Sequence, residues 1–182
     1  PAIKKLLIKR ARIVKNATEK VALALKVIRD NYQDWQKWII YCDNILQLRQ
    51  VLDILTQNGF NAYEYYAEME GDRQETLSYF SLNGGILVSI KCLDEGVDIP
   101  SATHALVLAS SQNPREFIQR RGRILRKSKG KHYAYLYDAV TVPFIAEEEN
   151  EKSLSIIEAE LSRAIEFGEG AENPSCIADL KV

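Results

Sequence analysis

Residues 37–59 read KWIIYCDNILQLRQVLDILTQNG, and the order of signals along them decides the fold. KWIIYC (37–42) is a short apolar run rich in β-branched and aromatic residues, which reads as a strand. DNILQLRQVLDILTQ (43–57) then changes to a helical pattern, and Asn58-Gly59 is a C-terminal stop signal. The same alternation continues outward. NAYEYY (61–66), GILVSI (85–90), HALVLAS (104–110) and HYAYLYD (132–138) read as strands, while DRQETLSYF (72–80) and PREFIQRRGRILR (114–126) read as helices. Strand and helix alternating at these lengths predict βαβ units, hence an α/β fold: a mostly parallel, twisted sheet flanked by helices on both faces. A long opening helix is expected over roughly 13–30, and a helical pair over 147–167 and 174–181. No internal repeat or low-complexity tract interrupts the pattern.

The bulk composition fits that reading. Of 182 residues, 46% are apolar and 27% charged, enough to bury a core within one domain. No uncharged apolar run is long enough to span a membrane, so no membrane partner is expected. The opening PAIKKLLIKRARIVK has a basic flank without a sustained apolar stretch, so it is not a signal peptide. The chain begins as an excised fragment would, without Met or a turn. Cys42, Cys92 and Cys176 lie far apart and form no CxxC. They are expected to be free thiols in a reducing, cytoplasmic setting rather than a disulfide or zinc framework.

The net charge of −1 conceals a strong pattern. Lys4, Lys5, Lys9, Arg10, Arg12 and Lys15 make the start basic, and a second basic run goes from Arg115 to Lys131. Glu147, Glu148, Glu149 and Glu151, then Glu158, Glu160 and Glu166, make the end acidic. The basic runs suit a polyanion, although a solvated helix face explains the first run equally well.

In parallel sheets ligands bind at the carboxyl ends of the strands, which singles out the loops after GILVSI and HALVLAS. The second of these leads into NPREFIQRRGRILR. There Asn113 can cap, Pro114 suits the first helical position and Glu116 stands where a capping-box acid reaches back. Gln119, Arg123 and Arg126 then share one helical face, with Ile118, Gly122 and Leu125 beside them. Two guanidiniums one turn apart suit a polyphosphate, since each can fork onto two oxygens. Arg120 and Arg121 lie off this face. In ILVSIKCLDEGVDIP (86–100), Gly96 permits a close backbone approach, and Asp98 is placed to accept from a ribose hydroxyl. Asp94-Glu95 lies beyond the strand end near Ile90, so no metal site is expected there. No GxxxxGK[ST] phosphate loop occurs in the sequence.

Together these stretches resemble the second RecA-like domain of superfamily 2 helicases and translocases. GVDIP looks like that family's motif V, and QRRGRILR fits its motif VI pattern Q-x-x-G-R-x-x-R at every fixed position. WIIYCDN (38–44) looks like motif IV, and EMEGDRQETLSYF (68–80) resembles the segment between IV and V. The resemblance implies a RecA-like sheet over 35–142, with a helical lead-in over 1–34 and a helical extension over 143–182. It implies that Arg123 and Arg126 are arginine fingers, that Gln119 senses nucleotide, that Gly96 approaches the phosphates and that Asp98 contacts the ribose. Asp43, Asn44, Ser89 and Lys91 would face the nucleic-acid backbone. The Gln that opens motif VI, with the CLDEGVDIP wording, resembles the DNA group that includes restriction-enzyme translocases and excision-repair helicases. ATP and Mg²⁺ would then be used by the full-length protein, with the phosphate loop and the Mg²⁺ ligands on an N-terminal RecA-like partner domain. Double-stranded DNA is the expected substrate, and the isolated chain is expected to be inactive. The alternatives are a non-enzymatic nucleic-acid-binding module built on the basic helix, and a degenerate motor half serving as a docking platform.

Overall fold

The computed structural model describes residues 13, 15–90, 102–109, 126, 128, 131–142, 150–173 and 175–178, with the side chains of 150–156, 167 and 176 left aside. The chain divides into two compact units, Pro1–Ala139 and Val140–Val182. No helix among the described residues is long and apolar enough to cross a membrane.

In the first unit, among the described residues, five parallel strands form one sheet in the order β2-β3-β1-β4-β5. They are β1 (Lys37–Cys42), β2 (Ala62–Tyr65), β3 (Gly85–Ile90), β4 (His104–Val107) and β5 (Tyr135–Asp138). Central β1 pairs with β3 from Lys37↔Gly85 to Cys42↔Ile90 and with β4 from Trp38↔His104 to Tyr41↔Val107. Every residue of β1 after Lys37 is buried, as expected of a strand flanked on both edges and covered on both faces. Three helices described in this unit are α1 (Glu19–Asn31), α2 (Ile45–Gln57) and α3 (Arg73–Asn83). Ala24 and Ile28 of α1 join Leu48, Val51 and Leu55 of α2 and Phe80 of α3 in the core with β1, β3 and β4.

The connections follow local chemistry. The α2 helix stops in a Schellman arrangement: Gly59 N donates to Thr56 O at 3.0 Å and Phe60 N to Leu55 O at 3.1 Å, with Gly59 at φ 82°. The Asp72 side chain caps α3 by accepting from Gln74 N at 2.7 Å and Glu75 N at 3.3 Å. Gly84, at φ 73°, lets β3 enter the sheet, because a Cβ there would stand 2.8 Å from the Trp35 carbonyl oxygen.

Differences from the sequence reading have physical causes. The opening helix is interrupted by a turn at Asn16 and Thr18, and α1 starts at Glu19. The Asn16 amide is engaged with residues 27 and 28 positions away. Strand β4 stops at Val107, where Leu108 N and Ala109 N both turn onto the Tyr41 carbonyl, at 3.0 and 3.3 Å, and end the ladder. The expected helix over 114–126 lies outside the described residues except for Arg126, which stands exposed outside regular structure.

At the amino edge of the sheet four rings stack in the sequence Tyr137, Trp38, His104, Tyr135. Their centroids are 5.3, 4.5 and 4.7 Å apart and their planes nearly parallel. Thr103 Oγ1 lies 2.8 Å from His104 Nδ1, and Tyr137 Oη donates to Asn31 Oδ1 at 3.2 Å. The second unit contains α4 (Asn150–Gly168) and α5 (Ser175–Ala178). There the buried Arg163 donates to Glu160 Oε2 at 2.9 Å, and Thr141 N reaches the same oxygen at 3.4 Å.

Burial pushes the His104 imidazole down to about 4 from its ordinary 6.5, so the folded protein keeps it neutral while the unfolded chain takes up a proton. Stability from this residue is complete above pH 6.5 and is lost as pH falls from there toward about 4. His104→Phe, which keeps a ring in the stack, should flatten that part of a plot of Tm against pH. Parallel curves for the two proteins would contradict the assignment.

Candidate nucleotide and nucleic-acid edge of the sheet

A strand buried after its first residue delivers its first amide and carboxylate side chains only at its end, and for β1 these are Asp43 and Asn44. Asn44 has extended backbone at φ −152° and caps α2, its Oδ1 accepting from Gln47 N at 3.0 Å. Gln47, 3% exposed, returns the contact: its Oε1 accepts from Asp43 N at 2.8 Å, and its Nε2 donates to the Lys15 carbonyl at 2.9 Å. The segment before α1 thus closes over the tip of the central strand. Asn16 Nδ2 donates to Asp43 Oδ2 at 3.0 Å, and Asn16 Oδ1 accepts from Asn44 Nδ2 at 2.6 Å. The Asn44 amide also reaches Asp43 Oδ2 at 3.4 Å, and Lys15 Nζ stands 3.6 Å from Asp43 Oδ1. On the β4 side, the buried Lys20 donates to the Leu108 carbonyl at 2.6 Å, which ties the start of α1 to the end of that strand.

Electrostatics keep this cluster charged. Burial pushes the Asp43 carboxyl up, but the hydrogen bond from Asn16, the charge of Lys15 and the hydrogen bond from Asn44 outweigh it, and the group ends below its ordinary value. Cys42, immediately before it, is a buried free thiol that burial and the Asp43 charge push far up, so it stays protonated.

Ser89 sits in register with Tyr41 of β1 and Tyr65 of β2, one residue before the end of β3. It is 1% exposed, and its hydroxyl has no hydrogen-bond partner. Such a group costs about 1–3 kcal/mol while it stays unmet. Asp43 and Asn44 are brought together at one strand tip, and Ser89 lies below the neighbouring tip. Arg126 is exposed. Lys91, Gly96, Asp98, Gln119 and Arg123 lie outside the described residues. Sequence reasoning placed Lys15 only in a basic run and missed its contacts, and it missed Asn16, Lys20 and Gln47 altogether. Their contacts span 27 to 88 residues, except for the short loop from Gln47 to Asp43 and Asn44, and no local pattern encodes such distances.

A parallel five-stranded sheet in this order, with polar groups gathered at the strand ends, defines a RecA-like α/β domain. The chain belongs to the helicase conserved C-terminal domain family, whose sequence profile matches residues 19–128, and this is the domain of that name in superfamily 2 helicases. A candidate ATP-dependent RNA helicase of Methanocaldococcus jannaschii is 31% identical over 125 residues, which cover 64% of this chain and 16% of that protein. The DNA 3'-5' translocase XPB2 of Sulfurisphaera tokodaii is 42% identical over 78 residues, covering 42% of this chain and 17% of that protein. The match therefore spans about a sixth of these curated relatives. Among solved structures, the C-terminal domain of the DEAD-box protein Dbp5 is similar with TM-score 0.60 at 17% identity, covering 86% of this chain and 82% of that one. UvsW of T4 is similar with TM-score 0.61 at 12% identity, covering 87% and 34%. These two likenesses concern the fold.

Because Asp43 is held below the usual carboxylate range, its stabilisation is complete above the unfolded value near 3.9 and is lost as pH falls through the lower folded value. Asp43→Asn should therefore lower stability at pH 7 by about 1 kcal/mol, discounted for partial exposure. In urea unfolding the gap to wild type should narrow as pH falls below the ordinary value of 3.8. A gap that persists unchanged at pH 3 would contradict the charged cluster.

Proposed function

We propose that this chain is the C-terminal motor half of an ATP-dependent superfamily 2 helicase or translocase that acts on double-stranded DNA in the cytoplasm. The observation that carries this reading is the family match over 19–128, which takes in both GVDIP and the whole of Q-x-x-G-R-x-x-R. The XPB2 relative supports DNA as the track. The candidate RNA helicase relative supports RNA, and the experiment below separates the two.

In this reading ATP is bound mainly by an N-terminal RecA-like half that carries the phosphate loop and the Mg²⁺ ligands. Arg123 and Arg126 reach the transferring phosphoryl group as fingers; the exposure of residue Arg126 fits such a role. Gln119 reads the nucleotide, Gly96 lets the backbone close on the phosphates, and Asp98 accepts from the ribose. Asp43, Asn44, Ser89 and Lys91 form the nucleic-acid side of the edge. Residues 1–34 act as a lead-in, 35–142 as the RecA-like body, and 143–182 as an extension. Closure around ATP engages the fingers, and hydrolysis releases them. Coupled to alternating grip on the backbone, that cycle moves the protein along its track. The domain without its other half does not turn over ATP.

In the full-length protein, duplex DNA should stimulate ATP hydrolysis more than single-stranded RNA does. Arg123→Ala should cut the stimulated rate by about 10³-fold or more while DNA affinity holds. Stronger stimulation by RNA would move the proposal to an RNA motor. Retained turnover with lost binding would mean that the arginines grip nucleic acid instead.

A further inference from the structure

The cluster at the tip of β1 assigns its members different roles from those the motif resemblance implies. Asn44 has both amide groups committed: Oδ1 caps α2, and Nδ2 donates to Asn16 and Asp43. Asp43 is a carboxylate with donors on both oxygens, and an anion does not attract a phosphate. The cation of the cluster is Lys15, which faces outward: its side chain is 27% exposed, against 15% for Asp43. Its ammonium has three donors, and 3.6 Å to Asp43 is an ion-pair distance rather than a tight hydrogen bond. The Lys15 backbone is pinned by Gln47 and its neighbour Asn16 by Asp43 and Asn44, so the point from which the lysine side chain extends is fixed at the strand tip. In sequence, Lys15 closes the basic run that begins at Lys4.

We propose that Lys15 is a contact for a nucleic-acid backbone phosphate at the tip of the central strand, with Asp43 as its counter-charge and Asn16 as the residue that positions it. The proposal rests on the motor reading for its choice of polyanion. Backbone phosphate is common to DNA and RNA, and its recognition by a point charge carries no sequence preference.

Binding of the full-length protein to a short duplex DNA and to a single-stranded RNA is measured by fluorescence anisotropy over a series of salt concentrations. Loss of one phosphate contact in Lys15→Gln should weaken binding several-fold. It should also reduce the slope of log affinity against log salt by about 0.9 for duplex DNA or about 0.7 for a single strand; the arm that shows the change identifies the track. Lys15→Arg, which keeps the charge, should hold the wild-type slope. Asn16→Ala should weaken binding and also lower Tm, because it releases the segment that carries Lys15 and leaves Asp43 and Asn44 each short of a partner. Unchanged slope and affinity in Lys15→Gln overturn the proposal, as does an equal loss in Lys15→Arg, which would mark a structural defect. If DNA stimulates ATP turnover while Lys15→Gln binds as wild type does, the motor reading stands and this inference falls. If the slope changes as stated but nucleic acid never stimulates turnover, the reverse holds. A wild-type protein that binds neither nucleic acid overturns both.

Discussion

The central strand constrains everything else in this domain. With a strand paired on each side and every residue from Trp38 to Cys42 buried, β1 carries no charged or amide side chain along that stretch. Parallel pairing brings the carboxyl ends of β3, β1 and β4 side by side, so the first polar groups to emerge do so on one edge. Asp43 and Asn44 emerge there, and half-buried beside Cys42 they need partners. The partners come from the segment before α1, and the tie from Asn16 to Asp43 and Asn44 holds that segment against the strand tip.

The two ends of the sheet differ in chemistry for the same reason. At the amino edge, Trp38, His104, Tyr135 and Tyr137 satisfy one another by stacking, and the buried imidazole stays neutral. At the carboxyl edge, Lys15, Asp43 and Lys20 keep polar and charged atoms close to the strand ends, and the Ser89 hydroxyl is left without a partner just below. One edge is closed by aromatic contacts, while the other carries groups that can still interact. This polarity agrees with the general rule that open α/β sheets bind ligands beyond their carboxyl ends.

The sequence made the sheet legible because its signals were local. KWIIYC and GILVSI coincide with β1 and β3 residue for residue, and Asn58-Gly59 ends α2 through backbone geometry that only the immediate neighbours determine. Where tertiary contacts intervened, local pattern failed. HALVLAS looks like one strand through Ser110, yet pairing stops when two amides converge on the Tyr41 carbonyl. Apolar periodicity suggests an unbroken opening helix, but Asn16 breaks it with long-range bonds. The burial of Gln47 was equally hidden, since a glutamine on an amphipathic helix ordinarily faces water. Motif resemblance named Asp43 and Asn44 as part of the working edge but did not reveal the lead-in residues that hold them.

The account stands on the claim that the carboxyl edge of this sheet is the working face. Crosslinking the full-length protein to a nucleic acid with photoreactive backbone groups, followed by peptide mapping, tests that claim most directly. The account predicts labels on peptides containing Lys15, Asp43 and Asn44 and the residues that follow β3, with none around Trp35 or Tyr133 at the opposite edge. Labelling concentrated on those exposed aromatics, with the strand tips unmarked, would contradict it.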